Sequence, residues 1–548
     1  MERTTVRIAV VGGGPGGLFL ATLLRRADPG FEVTVFERNA AGDTFGFGVV
    51  FSDRTLAGIH AADPVLREAL AHRGRHWDQI EVRLKGERIR CGGNGMAAIS
   101  RHTLLRLMQQ RAAGVGAELR FDTEVGLPEL AGYDLVVAAD GTGSTIRRQL
   151  ATAGVELGES VRTAAAKFIW FGTDHLFDGL TFVHERGQHG VFAVHGYPIS
   201  DEASTFIVET DERSWRAAGL DGFDVGQPPG PSDLASKAYL EQLFADQLDG
   251  HRLLVNNSRW GNFRTRRTER WSTLTPRPVA LLGDAVHTAH FSVGSGTKMA
   301  MEDAVALAAA LVTALVEHRG DLAAALAAYE AAAQPSVRAI QDSARPSLSW
   351  WEHFGRYHDA FEPWQFGYHF LSRSIGDARL ARRDPAFVAD AHRGWLRRHG
   401  AEPLDSELEL PGDPGGGPTL KGRVLTVADG FATESGSGLA VPLREIFPAA
   451  AGRWGAWLGA PGEESELPAA LDRLAALVTA GPALVAVHGG TALTRTLLCE
   501  QVRLRHRLPA LLVDDELDRD RAVTTVLSGR ADLVGLSARA LAGWAVPA

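Results

Sequence analysis

The sequence predicts an α/β fold that comprises more than one domain. Three observations support this prediction: the chain has 548 residues, a βαβ pattern opens it, and short aromatic and β-branched segments fill its middle. Because single hydrophobic cores seldom grow beyond about 250–300 residues, we expect several domains. The hydrophobic content of 45% and the charged content of 22% are typical of a globular protein.

The charge balance argues against two kinds of partner. The chain has 57 lysines and arginines against 66 aspartates and glutamates, a formal net charge of −9. We therefore expect neither a nucleic-acid groove nor a polybasic membrane anchor. The longest apolar run, Ala304 to Val316, is shorter than the roughly 20 residues that span a bilayer, and the start has no signal-peptide pattern. Cys91 and Cys499 match no metal or redox spacing, which favours a reducing compartment and a cytoplasmic location.

The predicted elements begin with a strand at Val6–Val11, which is rich in β-branched residues and ends in glycines. A helix over Leu18–Arg26 and a strand over Glu32–Phe36 complete a βαβ unit. The later segments KFIWFGT, LTFVHER, GVFAVHGYP and STFIVET predict a mostly antiparallel sheet, inserted between the parts of the first domain. The strand-like Pro278–Leu282 then returns to that domain.

A glycine motif joins the first strand to the first helix. Gly12, Gly14 and Gly17 have the G-x-G-x-x-G spacing, with Pro15 between them. The first glycine permits the turn, the second lets backbone approach a pyrophosphate at the positive end of the helix, and the third lets helix pack on strand. Glu37, after the second strand, is placed to accept hydrogen bonds from ribose hydroxyls. Together these features predict a Rossmann-like dinucleotide-binding domain.

Two later strands also end in a carboxylate. Leu135–Asp140 is followed by Gly141, and Ala280–Gly283 is followed by Asp284. The carboxyl ends of strands face the ligand crevice in an open α/β sheet. Each aspartate alone could equally cap a turn or a helix.

Taken in this order, the three segments resemble those of the single-component (group A) FAD-dependent aromatic hydroxylases, over roughly residues 5 to 400. The resemblance implies that Asp140 lies near the FAD pyrophosphate and that Asp284 binds the ribityl chain. Arg101 matches the family's helix-borne arginine near the FAD phosphates, with a surface arginine as the alternative. The cofactor-binding residues implied by the motif and the resemblance are Gly12, Gly14, Pro15, Gly17, Glu37, Arg38, Arg101, Asp140, Gly283, Asp284, Gly294, Ser295, Gly296 and Thr297.

The segment after Asp284 carries the expected flavin and substrate contacts. Backbone N–H groups of its glycine-rich turn, backed by a helix N-terminus, suit the negative charge of reduced flavin. Phe291 stands where many family members have a proline, so the nature of the substrate contact stays open. The segments HFSVGSGTK, FGFGVVFSDRT, HGYP and SLSWWE narrow the resemblance to hydroxylases of aryl-CoA thioesters. That resemblance implies a substrate site formed by Phe47, Val49, His290, Phe291 and Ser292.

His290 is the candidate catalytic residue, as a base for the proton of a phenol or an aniline. Its spacing from His287 could be mistaken for a metal site, but no third ligand is evident and we expect no metal. Four arginines are interpreted either as a basic rim for CoA phosphates or as a solvated face: Arg264, Arg266, Arg267 and Arg270.

We predict five regions along the chain. They are the first part of the FAD-binding domain (1–165), the substrate sheet (166–275), the last part of the FAD-binding domain with an aromatic-rich helical region (276–400), a Gly/Pro-rich linker (401–420) and a C-terminal α/β region (421–548).

The C-terminal region, from Cys499 to Leu536, resembles the last strands of an Old Yellow Enzyme-type FMN reductase barrel. The whole region is about half as long as the roughly 250 residues of a closed (β/α)₈ barrel, so we expect that an eight-stranded barrel cannot close. Asp514-Asp515-Glu516 stands near the strand end where the reductases admit the FMN phosphate, which these carboxylates would repel. We therefore predict a truncated, non-catalytic region without FMN.

The resemblance implies an FAD-dependent monooxygenase that hydroxylates an aromatic substrate, an aryl-CoA or related thioester, with NAD(P)H as transient reductant and O₂, via a flavin C4a-hydroperoxide. The alternatives are a hydroxylase of a free or carrier-bound aromatic, an FAD-dependent reductase, a flavin-dependent halogenase, and a flavin-binding assembly subunit. The halogenases' W-x-W-x-I-P segment does not occur in the sequence. The ring position, the choice of NADH or NADPH and the oligomeric state stay open, a homodimer being one assembly that the sequence allows.

Overall fold

A computed structural model describes residues 5–44, 46–226, 230–317, 321–411, 417–434, 436–445 and 453–544. The described residues form two compact units, one within Met1–Arg88 and Gly93–Gly355, the other within Ile89–Gly92 and Arg356–Ala548. Residues 412–416 of the predicted linker lie outside the described ranges. None of the helices in those ranges combines the length and the apolar character that crossing a membrane requires.

The strands of the first unit are β1 (Val6–Val11), β2 (Phe31–Phe36), β3 (Gly48–Ser52), β4 (Arg75–Trp77), β5 (Ile80–Leu84), β6 (Glu87–Cys91), β7 (Met96–Ser100), β8 (Glu118–Arg120), β9 (Leu135–Ala138), β10 (Glu159–Thr173), β11 (Leu180–Gly187), β12 (Gly190–Pro198), β13 (Ser204–Thr210), β14 (Leu253–Leu254), β15 (Gly261–Thr268), β16 (Ser272–Thr273) and β17 (Val279–Leu281). Its helices are α1 (Pro15–Ala27), α2 (Asp53–Ala62), α3 (Pro64–Arg73), α4 (Arg101–Gly114), α5 (Thr145–Thr152), α6 (Glu212–Ala217), α7 (Leu234–Leu243), α8 (Ala245–Leu248), α9 (Gly296–Leu311) and α10 (Leu322–Ala360). The last residues of β6 and α10 belong to the second unit.

The first sheet has the strand order β16-β17-β9-β1-β2-β8. β1 pairs in parallel with β2 and β9, and β9 pairs in parallel with β17. From Ile8 to Val11 every side chain of β1 is buried, as expected of a parallel strand covered on both faces. The register sets Val11 beside Ala138, which in turn pairs with Leu281. The glycine motif and both aspartate segments therefore leave the same edge of the sheet, and the predicted Rossmann-like domain is confirmed.

The second sheet is the inserted one, with the order β14-β10-β13-β12-β11-β5-β6 and with β15 paired to β10. The pairs β10–β13, β13–β12 and β12–β11 are antiparallel, so the predicted antiparallel insertion is confirmed. β10 begins at Glu159, ahead of the predicted start at residue 166, because its first residues pair with β15. A small sheet of order β3-β7-β4 lies in the same unit.

The two faces of the inserted sheet bury different partners, because successive side chains of a strand point to opposite faces. Phe171, Val194, Phe206 and Val208 pack with apolar side chains of α7 and α8 in one hydrophobic core. The intervening positions of β11, β12 and β13 carry a row formed by Phe182, His195 and Ile207. This second side is called the site face below.

The second unit contains the strands β18 (Leu408–Glu409), β19 (Thr419–Leu420), β20 (Val424–Ala428), β21 (Phe431–Glu434), β22 (Ala440–Arg444), β23 (Gly455–Gly459), β24 (Leu484–His488), β25 (Ala510–Val513) and β26 (Leu533–Leu536). Its helices are α11 (Pro363–Leu371), α12 (Asp377–Arg383), α13 (Pro385–His399), α14 (Leu467–Thr479), α15 (Ala492–Leu504), α16 (Arg519–Leu527) and α17 (Ala538–Gly543).

Strands β20 to β26 close into a barrel, in which β26 pairs in parallel with β20. The expectation of a truncated barrel rested on eight strands, each followed by a helix. The described chain instead closes the barrel with seven strands, and β20, β21 and β22 follow one another as antiparallel neighbours. Because antiparallel neighbours need no crossover helix, fewer residues suffice for closure.

The aromatic-rich helices α11 and α13 belong to this second unit, whereas the sequence assigned residues up to 400 to the first domain. Tyr368, Phe387 and Trp395 share a hydrophobic core with Val485 of β24 and Val526 of α16. The apolar faces of these helices thus cover the outside of the barrel. The predicted linker region contains the antiparallel pair β18–β19.

Candidate active site

The glycine motif shows three different local requirements. Gly12 has φ of +113°, and a Cβ atom there would lie 2.3 Å from the carbonyl oxygen of Ala139. A Cβ atom on Gly17 would lie 2.3 Å from the carbonyl oxygen of Gly12. Gly14, just before Pro15 at the start of α1, has open space, with no described atom within 4 Å of a Cβ. The protein's own packing thus demands Gly12 and Gly17, whereas Gly14 borders a space that a ligand can fill.

Glu37 holds the glycine loop from the end of β2. Its Oε2 accepts a hydrogen bond of 2.8 Å from the backbone N–H of Gly13, and its Oε1 accepts one of 2.9 Å from that of Asn39. The side chain is half-buried, and its neighbour Arg38 is exposed. The carboxylate is therefore positioned beside the loop, as the motif predicted.

Asp140 caps α5 with only one of its two oxygens. Oδ2 accepts hydrogen bonds of 2.6 and 3.2 Å from the backbone N–H groups of Thr145 and Ile146. Oδ1 is buried and has no hydrogen-bond partner within the described part of the chain. Arg147 of α5 donates to the carbonyl oxygens of Ala285 and Thr142. These hydrogen bonds connect the loop after β9 with the loop after β17.

Asp303 of α9 organises the turn after β17. Its Oδ2 accepts a 3.0 Å hydrogen bond from the backbone N–H of Gly283 and lies 2.7 Å from Nε2 of His287. Gly283 has φ of +63°, and a Cβ there would lie 2.9 Å from that of Ala300. Asp303 is 1% exposed, so its charge is compensated within the protein rather than by water.

Asp284 is exposed toward the crevice, unlike its neighbours. The crevice walls crowd its carboxyl group, and the resulting desolvation raises its pKa, although His287 and Arg101 oppose this shift. Burial lowers the pKa of Arg101, while Asp284 opposes that shift. The predicted Arg101 and Asp284 thus act on each other electrostatically at one crevice.

The turn before α9 presents backbone groups and one hydroxyl. Gly294 is exposed and has φ of +61°, and Gly296 and Thr297 begin the sixteen-residue helix α9. Ser295 is 4% exposed, and its Oγ makes no hydrogen bond in the ranges that the structure describes. Backbone N–H groups at a helix start favour a negatively charged ligand group.

Phe291 lies within a group of aromatic rings on the site face. Its ring centroid lies 5.0 Å from that of Phe168, 5.4 Å from that of His195 and 6.1 Å from that of Trp170. Phe47 packs in the same cluster. The two predicted substrate-site aromatics are therefore brought together.

Val49 is the predicted site residue that the structure places elsewhere. It is buried in the core shared with the first sheet, whereas its neighbour Val50 belongs to the aromatic cluster. A Cβ on Gly294 would lie 3.9 Å from the Cβ of Val50. The strand alternation of β3 explains the difference, because only every second side chain can face the site.

His290 and Ser292 form a hydrogen-bonded pair. His290 Nδ1 lies 2.8 Å from Ser292 Oγ, and that hydroxyl lies 2.9 Å from Ser347 Oγ. His290 is 3% exposed, while Ser292 is half-buried. In the described ranges no group of three or more His, Cys, Asp or Glu side chains is arranged to hold a metal ion.

The predicted basic rim is divided. Arg266 is buried and forms an ion pair with Glu159, and Arg267 lies 2.6 Å from Asp342. Arg264 and Arg270 are exposed. Arg266 and Arg267 are thus occupied by ion pairs within the protein. Of the four arginines, Arg264 and Arg270 remain available to a ligand.

Sequence reasoning missed Asp303 and Glu209. Glu209 lies 2.7 Å from Nε2 of His195 on the site face. One signal was present in the sequence: a glutamate in a β-branched strand, between Val208 and Thr210, with both neighbours also buried. A charged residue in such a strand needs a partner, but its partner lies on another strand.

The comparisons with known proteins identify the family. Residues 5–129 and 132–344 match the FAD binding domain family. The chain is 55% identical over 533 residues to salicyloyl-CoA 5-hydroxylase from Streptomyces sp, which covers 97% of this chain and 99% of that protein. The chain belongs to the FAD-dependent monooxygenase family.

Other relatives cover about two thirds of this monooxygenase. It is 37% identical to 3-hydroxy-4-methyl-anthranilyl-[aryl-carrier protein] 5-monooxygenase from Streptosporangium sibiricum, over 63% of this chain and 89% of that protein. The tetrameric form of 2-methyl-3-hydroxypyridine-5-carboxylic acid oxygenase shares the fold, with a TM-score of 0.50 and 18% identity over 68% of this chain and 98% of that one. The predictions of fold class and of an FAD-dependent monooxygenase are confirmed.

The His287–Asp303 pair of this monooxygenase makes a pH-dependent contribution to stability. Burial lowers the pKa of His287, but Asp303 and Asp284 together raise it above its usual value. This stabilisation is full below about pH 6.5, the pKa of an unfolded histidine, and is lost as pH rises through the folded pKa.

We expect Asp303→Asn to lower the free energy of unfolding at pH 6 by about 3 kcal/mol, because it removes one partner of a buried pair. The variant should also lose the decline in stability above pH 6.5. Urea unfolding between pH 5.5 and 8.5 measures both effects. Glu302→Gln, on the same helix but in an exposed pair with Lys298, is the control. An unchanged pH slope in Asp303→Asn would contradict the assignment.

Proposed function

We propose that this monooxygenase hydroxylates the ring of an aryl-CoA thioester, with bound FAD and with NAD(P)H and O₂ as co-substrates. The observation that carries the proposal is the 55% identity to salicyloyl-CoA 5-hydroxylase across nearly the full length of both chains. Activity on an aryl group bound to a carrier protein is the second candidate, supported by the 37% identity to an aryl-carrier-protein monooxygenase.

We assign the FAD to the crevice at the carboxyl ends of β1, β9 and β17. When bound, FAD supplies the redox and oxygen-transfer chemistry that side chains lack. The orphaned Oδ1 of Asp140 and Oγ of Ser295 are suited to hydrogen bonds with the cofactor, since neither has a partner among the described residues. Arg101 brings positive charge toward its phosphates, and Gly14 leaves space for them.

The other residues that we propose as cofactor contacts lie along the same crevice. Glu37 is held beside the glycine loop, where it can accept from ribose hydroxyls. Asp284 faces the crevice at the end of β17, as a ribityl contact requires. The backbone from Gly294 to Thr297 offers N–H donors for the negative charge of the reduced ring.

For the aromatic substrate we propose the space bordered by Phe47, Phe291, Ser292 and His290. The rings around Phe291 make this region apolar, and exclusion of water protects a reactive oxygen donor from side reactions. Val50 replaces Val49 as the β3 residue of this site, because it belongs to the aromatic cluster.

Two arginines are candidates for binding the CoA part of the thioester. Arg264 and Arg270 are the exposed members of the predicted rim and are proposed to meet the phosphates of CoA. An N-acetylcysteamine thioester lacks those phosphates and is therefore the matched control substrate.

We propose that the C-terminal barrel binds no FMN. Acidic side chains occupy the carboxyl end of β25: Asp514 pairs with Arg495, and Asp515 accepts from the backbone N–H of Ser537. Negative charge at this position disfavours a phosphate. NAD(P)H is proposed to act from transient binding, as in the hydroxylases that this chain resembles.

Substitution of two glycines separates folding from cofactor binding. We expect Gly12→Ala to destabilise the FAD-free protein by at least about 2 kcal/mol, because the residue has positive φ and meets the Ala139 carbonyl. Gly14→Ala should leave the FAD-free protein as stable as wild type but weaken FAD binding about tenfold or more, since the added methyl group occupies the space assigned to the cofactor. Thermal unfolding and fluorescence titration with FAD measure the two effects. Wild-type FAD affinity in Gly14→Ala would contradict the placement of the cofactor.

The function is tested with FAD-loaded protein, NAD(P)H and ¹⁸O₂. We expect salicyloyl-CoA to stimulate flavin reduction and to gain one ¹⁸O atom, with a lower KM than its N-acetylcysteamine thioester. An FAD-dependent reductase would oxidise NAD(P)H without labelled product. Preference for a carrier-bound aryl group would favour the second candidate, and bound FMN in the purified protein would refute the barrel proposal.

A further inference from the structure

One boundary of the space proposed for the substrate is an aromatic side chain from the loop before β3. Phe47 packs in the aromatic cluster of the site face together with Trp170 and Phe291. All three side chains are half-buried, so each keeps part of its surface outside the packed core. The room left for an aromatic substrate therefore depends on where the Phe47 ring lies.

The Phe47 ring lies directly on Gly172 of β10. A Cβ atom on Gly172 would lie 2.5 Å from Cδ1 and 2.6 Å from Cε1 of that ring. Gly172 does not have a positive φ, so the backbone of the strand itself would accept an alanine. Contact with the Phe47 ring is thus what requires a glycine at this position.

The alternation of β10 directs this gap toward the site. Ile169 and Phe171 belong to the hydrophobic core on one face of the inserted sheet. Phe168, Trp170 and Gly172 therefore lie on the other face, the site face. The strand thus presents two aromatic rings followed by a gap, and the Phe47 ring covers the gap.

Hydrogen bonds fix the backbone on both sides of the Phe47 ring. Asn256 Nδ2 donates hydrogen bonds of 3.0 Å to the carbonyl oxygens of Thr44 and Gly46. The backbone N–H of Arg101 donates one of 2.8 Å to the carbonyl oxygen of Phe47. Because the loop backbone is held in this way, a side chain added beneath the ring would displace the ring rather than the loop.

We propose that Phe47, seated on Gly172, limits the aromatic group of the substrate to a single ring. Phe47 is the specificity-determining residue, and Gly172 is a positioning residue that acts through it. The Phe47 ring occupies volume that a second, fused ring of a substrate would need. A larger substrate must then either distort the packing or leave apolar surface in water. The proposal rests on the proposed function, because it concerns the ring of the same aryl thioester.

The test measures binding to FAD-loaded protein by calorimetry. The ligands are salicyloyl-CoA and the three isomers of hydroxynaphthoyl-CoA that keep the hydroxyl group next to the thioester. We expect wild type to bind salicyloyl-CoA at least about tenfold more tightly than each isomer, since even one methylene group can change affinity this much in an apolar pocket. Phe47→Ala should shift the ratio of dissociation constants by at least about tenfold toward one isomer.

A double-mutant cycle tests whether Gly172 acts through Phe47. We expect Gly172→Ala to weaken salicyloyl-CoA binding about tenfold in wild type, because the displaced ring enters the substrate space. The same change should have less than about a twofold effect in Phe47→Ala, where the overlap is gone. Gly196→Ala is the matched control, since its Cβ would overlap the Phe177 ring on the opposite face. It should leave the ratio of dissociation constants unchanged.

Two results would overturn the proposal: an unchanged ratio in Phe47→Ala for all three isomers, or an equal effect of Gly172→Ala in the two backgrounds. If wild type binds salicyloyl-CoA without hydroxylating it, the proposed function fails, while the ratio still decides on Phe47. If no thioester binds, the corresponding free acids are compared in the same way. Should Gly172→Ala fail to fold or to retain FAD, Phe47→Leu and Phe47→Ala form a graded series, in which the shift must grow as the side chain shrinks.

Discussion

A carboxyl group taken out of water must find hydrogen-bond donors or opposite charge inside the protein, and this constraint organises the candidate active site. Asp303 holds Gly283 and His287, and so fixes the turn after β17. Asp140 caps α5 with one oxygen, and its other oxygen has no hydrogen-bond partner among the described residues. Glu209 lies beside His195 on the inserted sheet, with 2.7 Å between Oε1 and Nε2. Asp303 thereby connects two separate segments, whereas the hydrogen bonds that Asp140 accepts are local.

The alternation of side chains along a strand decides which residues can take part. The inserted sheet directs Phe206 and Val208 into a hydrophobic core, and it directs Ile207 and Glu209 to the opposite side. The aromatic side chains that gather around Phe291 then create an apolar region in which a few polar groups have large effects. One face of the sheet thus belongs to a hydrophobic core, and the other carries aromatic rings with a few polar groups.

Local patterns in the sequence were sufficient to predict the dinucleotide-binding edge of the first sheet. Each feature of that edge involves only a few consecutive residues: a glycine at positive φ, a helix start, or a carboxylate after a strand. Contacts between distant segments were not predictable in this way. Glu209 pairs with a histidine of another strand, and Asp303 acts on a turn that precedes its own helix. Val49 was predicted in place of Val50 because the face of a short strand depends on its register. Closure of the barrel with seven strands was missed because the length argument assumed a helix after every strand.

In the proposed complex an aromatic ring lies against Phe291 and Ser292, beside FAD held at the carboxyl ends of β1, β9 and β17. A crystal structure of the FAD-loaded protein with salicyloyl-CoA tests this placement most directly. We predict that the ring hydroxyl lies within hydrogen-bond distance of Ser292 Oγ and that the CoA phosphates lie near Arg264 and Arg270. A ring bound away from Phe291, or an FAD that leaves Asp140 Oδ1 without a partner, would contradict it.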